Sequence, residues 1–304
     1  MLLLSPTETD GFHLAHTAKQ YFETVANPNR IVLDDILPEW NDGDMLVDDG
    51  PQKITMREVR RGIAASPAEI NQALYDAHAV EIDGIDVKLR WLMKGYVYRM
   101  SPAYVSQLLD LIIITSTADS LPLNNLLVNE ILRSLSSEDE KPECIHAILK
   151  SFSEVPRERT YPFLTNLTRA YALSQEKVTR WYGLRTLSNI TGGIQQTTAF
   201  LSDWTSSLPI GIDKVKPNLN LLRGNYHHPT PTQIQYLPAS GLSKNPEDRF
   251  AQLFGIKDRW VMDEIMPFLE GCVDGGEGWE KKAERECHKW ARVRGGMVMD
   301  KHSY

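Results

Sequence analysis

The chain has 304 residues, 42% hydrophobic and 24% charged, ordinary proportions for a globular protein with room for two or three small cores. No apolar run is long enough to cross a bilayer, and three irregularly spaced cysteines argue for a reducing compartment rather than a disulfide framework. The net charge of −7 is unevenly spread: residues 1–55 hold ten acidic and three basic side chains, while the rest carries thirty of each.

"MLLLSP" at the front is too short, and lacks the basic flank, to be a signal peptide. Residues 43–53 (GDMLVDDGPQK) read as an acidic linker broken by Pro51. The following segment has the clearest local signals. Thr55–Glu58 and Ser66–Glu69 each fit a capping box, the second with Pro67 as first helical residue. Met56, Val59 and Ile63 form one apolar stripe, and Ile70, Ala73, Leu74 and Ala77 form another. Val80 and Ile82 then alternate before Asp83-Gly84, and Ile85, Val87 and Leu89 after it, which predicts a hairpin turning at Asp-Gly. Two helices and a two-stranded wing outline a winged helix.

A helix is expected from Ser101-Pro102, burying Val105, Leu108, Leu109 and Ile112; its apolar end, "LLDLIIIT", reads as core. Leu123, Leu127, Ile131 and Leu135 are expected on the next helix, and Ile145, Ile148 and Phe152 on another. "VPRERTYPF" marks a wing only weakly, because it carries two prolines. A third helical group starts at Ser174, with Val178 and Trp181, and "TQIQYL" (232–237) offers one strand. Asn245 as N-cap and Pro246 then open a last pair of amphipathic helices, with Phe250, Leu253, Phe254, Ile265, Phe268 and Leu269 at helical spacing. From Trp279 on, seven basic residues face four acidic ones, so this tail suits phosphate, or else is a solvated surface helix.

Signals for chemistry are weak. His13 and His16 lack a carboxylate or cysteine to complete a metal set, and Cys287-His288 lacks zinc-site spacing. His227-His228 read as polar loop surface. "TGGIQQTT" and "DGGEGWEKK" do not match a phosphate loop, and GxSxG and HExxH are absent. No enzyme, cofactor or metal is expected.

The three helical modules resemble the cohesion subunit of the alternative replication factor C clamp loader, a family named for defects in sister chromatid cohesion. The likeness rests on "ITMREVRRGIAASPAEINQALYDAHAVEIDGIDVKLRWL", on "YFETVANPNRIVLDDILPEW", and on Arg249-Phe250, Leu253-Phe254, Trp260, Glu264-Ile265 and Pro267. It implies a non-catalytic nuclear scaffold, mainly α with small β-hairpin wings, built as tandem winged-helix modules. Its implied partners are the largest and small cohesion subunits of the loader, DNA polymerase epsilon and DNA, with no membrane. It also implies a β-rich front domain, of which "MLLLSP" reads as a late strand, so pairing with the small cohesion subunit is expected to be weakened. The expected layout is therefore residues 1–53 as the remnant of that domain with a helix and linker. Residues 54–100, 101–172 and 173–304 follow as three winged helices, the last with a basic tail. Arg249, Lys257 and Arg259 are the expected exposed DNA contacts of the last module, with Lys289, Arg292 and Arg294 beyond them.

A free-standing winged-helix transcription regulator is the rival reading. It would want a basic recognition helix, yet "SPAEINQALYDAH" carries no Lys or Arg and suits protein contact better.

Overall fold

Both capping boxes form where the sequence places them. The Thr55 hydroxyl accepts from the Glu58 N–H at 3.3 Å, while the Glu58 carboxylate accepts from the Thr55 N–H at 2.7 Å. Ser66 and Glu69 repeat the exchange at 3.3 and 2.7 Å. Each satisfies two otherwise orphaned donors, so α1 (Met56–Gly62) and α2 (Pro67–Asp76) start where expected. These come from a computed structural model that describes residues 37–40, 54–63, 65–85, 93–135, 142–154, 170–190, 193–273 and 278–301. The described residues are mostly helical with small sheets, and the chain divides into two units: Met1–Ser174 with Pro209–Gly211, and Gln175–Leu208 with Ile212–Tyr304.

In the first unit, α1 and α2 close a core of Leu37, Ile54, Val59, Ile63, Ile70, Leu74 and Val97. β1 (Glu39–Trp40) runs parallel to β3 (Met93–Met100), which pairs antiparallel with β2 (Ala79–Ile85). The hairpin does not turn at Asp83-Gly84. Both residues lie inside β2, opposite Gly95 and Lys94, and the connection at 86–92 lies outside the described residues. The local Asp-Gly preference yields to a longer ladder, because "MKGYVYRM" supplies an eight-residue partner rich in strand-forming Tyr and Val.

Ser101 caps α3 (Pro102–Ala118), accepting from the Tyr104 N–H at 3.1 Å, and Val105, Leu108, Leu109, Ile112 and Ile113 are fully buried. The next helix starts later than its apolar spacing suggests. Leu126–Leu127 forms β4, paired with β5 (Ala170–Tyr171), so α4 spans Val128–Ser134 and Leu123 and Leu127 precede it. α5 (Pro142–Phe152) buries Cys144, Ile145, Ile148, Leu149 and Phe152. Residues 155–163, the weakly marked wing, lie outside the described residues, as do 1–36 with the front strand and its helix.

In the second unit, α6 (Gln175–Ser188) packs against α7 (Thr197–Ser207) at a contact only glycine allows: a Cβ on Gly183 would overlap the Trp204 indole. That indole donates to the Thr179 carbonyl at 2.8 Å. β6 (Ile194–Gln196), β7 (Tyr226–His227) and β8 (Gln233–Tyr236) form an antiparallel sheet in the order β6-β8-β7. The strand expected in "TQIQYL" is β8. After α8 (Pro246–Ile256) come β9 (Arg259–Val261), α9 (Met262–Leu269), α10 (Trp279–Trp290), β10 (Ala291–Arg294) and β11 (Met297–Asp300). Their sheet, β10-β11-β9, covers a core built on Phe250, Leu253, Trp260, Ile265, Phe268, Cys287 and Val298. Residues 175–300 thus hold two sheets, each with its own helices.

Leu74 is 7% exposed inside the first core, so Leu74→Ala should cost about 2–5 kcal/mol in urea unfolding. A second expectation concerns His78, which ends the corner after α2 at φ 50° and stacks on Phe152, ring centroids 5.6 Å apart. Burial pushes its imidazole down to about 4. The unfolded imidazole titrates near 6.5, so the unfolded chain binds more protons between these values. Stability should be unaffected by His78 above pH 6.5 and fall by about 3 kcal/mol on going down to pH 4. His78→Asn, which tolerates the left-handed backbone, should flatten that part of the pH–stability curve.

Candidate nucleic-acid interface

Strand register decides which side chains share a face. In the C-terminal sheet Val293, Val298 and Trp260 are cross-strand partners in one row, and Val298 and Trp260 are fully buried against the helices. Their neighbours along each strand therefore point the other way. One outward row is Arg292, Met299 and Arg259; the next is Arg294, Met297 and Val261. The three arginines are exposed, as is Val261 at 47%, while the two methionines are half-buried. Along β10 the arginines stand about 7 Å apart, and across two strand spacings Arg292 and Arg259 are about 10 Å apart. The turn holding this face is Gly295-Gly296, both at positive φ (59° and 76°), as a two-residue type I′ hairpin demands.

The helix before this hairpin is electrostatically mixed. On α10, Lys281, Lys282, Arg285, His288 and Lys289 are exposed, but so are Glu280 and Glu284. Lys289, 62% exposed at its side chain, lies 4.8 Å over the Trp290 ring and 3.9 Å from Glu286. Glu286 in turn accepts from the Trp290 indole at 2.7 Å.

Two of the six expected DNA-binding residues are engaged in holding the fold. Lys257 is half-buried, 2.7 Å from a Glu264 carboxylate oxygen, 3.2 Å from the His228 carbonyl and 5.2 Å over the Trp260 ring. Arg249, expected on the surface, is 1% exposed. Its Nε donates to the Ser243 carbonyl, Nη1 to Phe268, and Nη2 to Ala239 and Leu242 at 3.2 and 3.0 Å. The correction has a clear cause: Arg249, Phe250 and Leu253 share the buried side of α8, where carbonyls from the segment before the helix and from the end of α9 converge. The structure thus brings Arg259, Arg292 and Arg294 together, places Lys289 on the adjoining helix, and withdraws Arg249.

His227 is also not loop surface, while His228 opens the loop after β7 and is half-buried. His227 sits in β7, 3% exposed, its Nε2 3.1 Å from the Gln235 side-chain oxygen and its ring 5.7 Å from that of Trp260. Burial pushes its imidazole below the ordinary range. The His228 N–H donates to the other Glu264 oxygen at 2.7 Å, and its Nδ1 bonds the Gln233 carbonyl at 2.7 Å. The contact of His227 with Trp260, more than thirty residues on, is the long-range fact that sequence spacing does not carry.

Burial pushes the Cys287 thiol up to about 12, the state of a packing residue rather than a nucleophile. Among the described residues, no group of three His, Cys, Asp or Glu side chains is placed to hold a metal ion, and no helix is long and apolar enough to cross a membrane.

The model of the Dcc1 family, described as sister chromatid cohesion protein Dcc1, matches residues 5–269. The chain belongs to that family. It is 25% identical over 183 residues to sister chromatid cohesion protein DCC1 of Saccharomyces cerevisiae, covering 58% of this chain and 46% of the yeast protein. The DCC1 proteins of Danio rerio and Homo sapiens are each 24% identical, covering 72% and 73% of this chain and 51% of their own length. The chain therefore spans about half the length of these relatives. The family match ends at Leu269, before α10 and the hairpin that carries Arg292 and Arg294.

Arg249→Met should lower stability by about 3–5 kcal/mol, because several buried carbonyls lose their donor at once. Arg249→Lys should recover only part of it, since one ammonium cannot span carbonyls on four residues. Thermal unfolding of the three proteins measures both.

Proposed function

We propose that this member of a sister chromatid cohesion family is a non-catalytic scaffold subunit of an alternative clamp loader, acting in the nucleus during DNA replication. In this reading it meets the loader's largest and small cohesion subunits and DNA polymerase epsilon, and touches DNA through winged-helix modules. The order helix, strand, helix, helix, strand, strand, with the last two strands as an exposed hairpin, supports the winged-helix reading of the C-terminal module. The same motif is the reading offered for α1 and α2 with β2 and β3.

The observation that carries DNA contact is the shared outward face of Arg259, Arg292 and Arg294. Guanidinium groups at these spacings suit phosphate oxygens, and no acidic residue interrupts either outward row. α10 suits base reading poorly, since Glu280 and Glu284 stand on its exposed side. Contact through the sheet favours binding that is indifferent to sequence, as a scaffold requires, over the specific readout a free-standing regulator needs.

Fluorescence anisotropy at several salt concentrations tests this. The protein should bind duplexes of unrelated sequence alike and lose affinity steeply with salt. Replacing Arg259, Arg292 and Arg294 together by Gln should reduce the slope of log K against log salt by about 2.7, at about 0.9 for each phosphate no longer neutralised. Lys289→Gln alone should change the slope by less than a single phosphate's share. An unchanged slope in the triple variant would exclude the sheet face.

A further inference from the structure

Beside the arginine face lies a cleft of about 520 Å³, within the range of small-molecule sites. Asn220, Arg223, Tyr226 and His228 line one wall, Val261 and Asp263 the other. Gly224, whose φ of 79° is a backbone conformation that favours glycine, and Pro267 close its floor. Val261 links the cleft to the sheet: it is the end of the outward row that begins at Arg294, two strand spacings or about 10 Å away. We infer that this cleft receives an unpaired nucleobase from a DNA strand whose phosphates lie on the arginine face, an inference that rests on the DNA reading above.

The chemistry of the lining selects a base over a phosphate. Glu264 already holds Lys257 on one oxygen and the His228 N–H on the other, so its charge is met internally. The exposed charges are Arg223 and Asp263, which cancel, and a phosphate entering here would meet the Asp263 carboxylate. A base brings no charge. Its exocyclic amino group can donate to Asp263, while Arg223, whose Nη2 bonds the Asp263 carbonyl at 3.2 Å, has further N–H groups for ring nitrogens or carbonyls. The half-buried Tyr226, edge-to-face with His228 at 5.3 Å between ring centroids, supplies a braced aromatic wall, and Val261 an apolar one. Such stacking accepts any base, and the carboxylate disfavours thymine, which has no exocyclic amino group.

The test uses the full chain with two DNAs: a blunt duplex, and the same duplex carrying a short unpaired flank with 2-aminopurine in it. The flanked DNA should bind about fivefold to tenfold tighter, with 2-aminopurine fluorescence quenched on binding, and an all-thymine flank should give a smaller gain. Asn220→Trp, which fills the cleft from an exposed position, should remove the gain, and Asp263→Ala should cut it to that of the thymine flank, each leaving blunt-duplex affinity unchanged. By contrast, the triple arginine variant should weaken both DNAs alike. Equal affinity of the parent protein for blunt and flanked DNA, or a gain that survives both cleft substitutions, overturns the inference and leaves the arginine face standing. If the parent protein binds neither DNA, both readings fall.

Discussion

The buried guanidinium of Arg249 is the interaction on which the C-terminal half depends. A charge taken out of water is costly unless its donors are all engaged, and here the partners are backbone carbonyls from separate stretches of chain. Ala239, Leu242 and Ser243 belong to the segment leading into α8, and Phe268 to the end of α9. One side chain therefore fixes the entry to the module, its first helix and its second helix together. Gly271 is part of the same arrangement, since a Cβ there would sit 3.0 Å from Arg249 Nη1. With α8 and α9 set, Trp260 between them is held in the core, and its strand β9 offers the edge on which β11 and then β10 pair.

A second set of bonds seats β7 and β8 against the same module. The strap of His228, Glu264 and Lys257 closes around Trp260, while Arg223 reaches the Asp263 carbonyl. Because His227 and Trp260 face each other across this seam, the sheet β6-β8-β7 is packed on one side by the module that follows it. The outward face of β9, β10 and β11 is left open in this half. A chain with net charge −7 can still present a local positive field, because the net negative charge falls in residues 1–55 and these two outward rows carry no acid.

How much of this was legible in the sequence depends on the range of the interaction. Capping boxes at Thr55 and Ser66, the Ser101 start and the Asn245-Pro246 start are satisfied within four residues, and all stand. Helical periodicity also found the buried sides of α3, α5, α8 and α9, since burial there follows the 3.6-residue repeat. Features set by distant partners were not readable. Asp83-Gly84 carries a turn signal that a downstream strand overrides, and Leu126–Leu127 becomes a strand only because Ala170–Tyr171 lies beside it. Arg249 looked like surface because charge in a sequence gives no hint of carbonyls that converge on it from elsewhere. The arginine face was half visible: Arg292 and Arg294 alternate in the sequence, but Arg259 joins them only through the β11 register.

The Gly295-Gly296 turn has a bearing on flexibility. A type I′ turn matches the right-handed twist of the strands it joins, so the hairpin is held at its own tip as well as through β9. The backbone spacing of Arg259, Arg292 and Arg294 is consequently fixed before any anion arrives. Ordering a loop of comparable length on binding would cost about 1–2 kcal/mol per residue of backbone entropy, and this surface is spared it. What remains to be ordered is side-chain rotation alone. The arginines behave as a preset grid, and a glycine replaced at the tip would loosen that grid without removing a single charge.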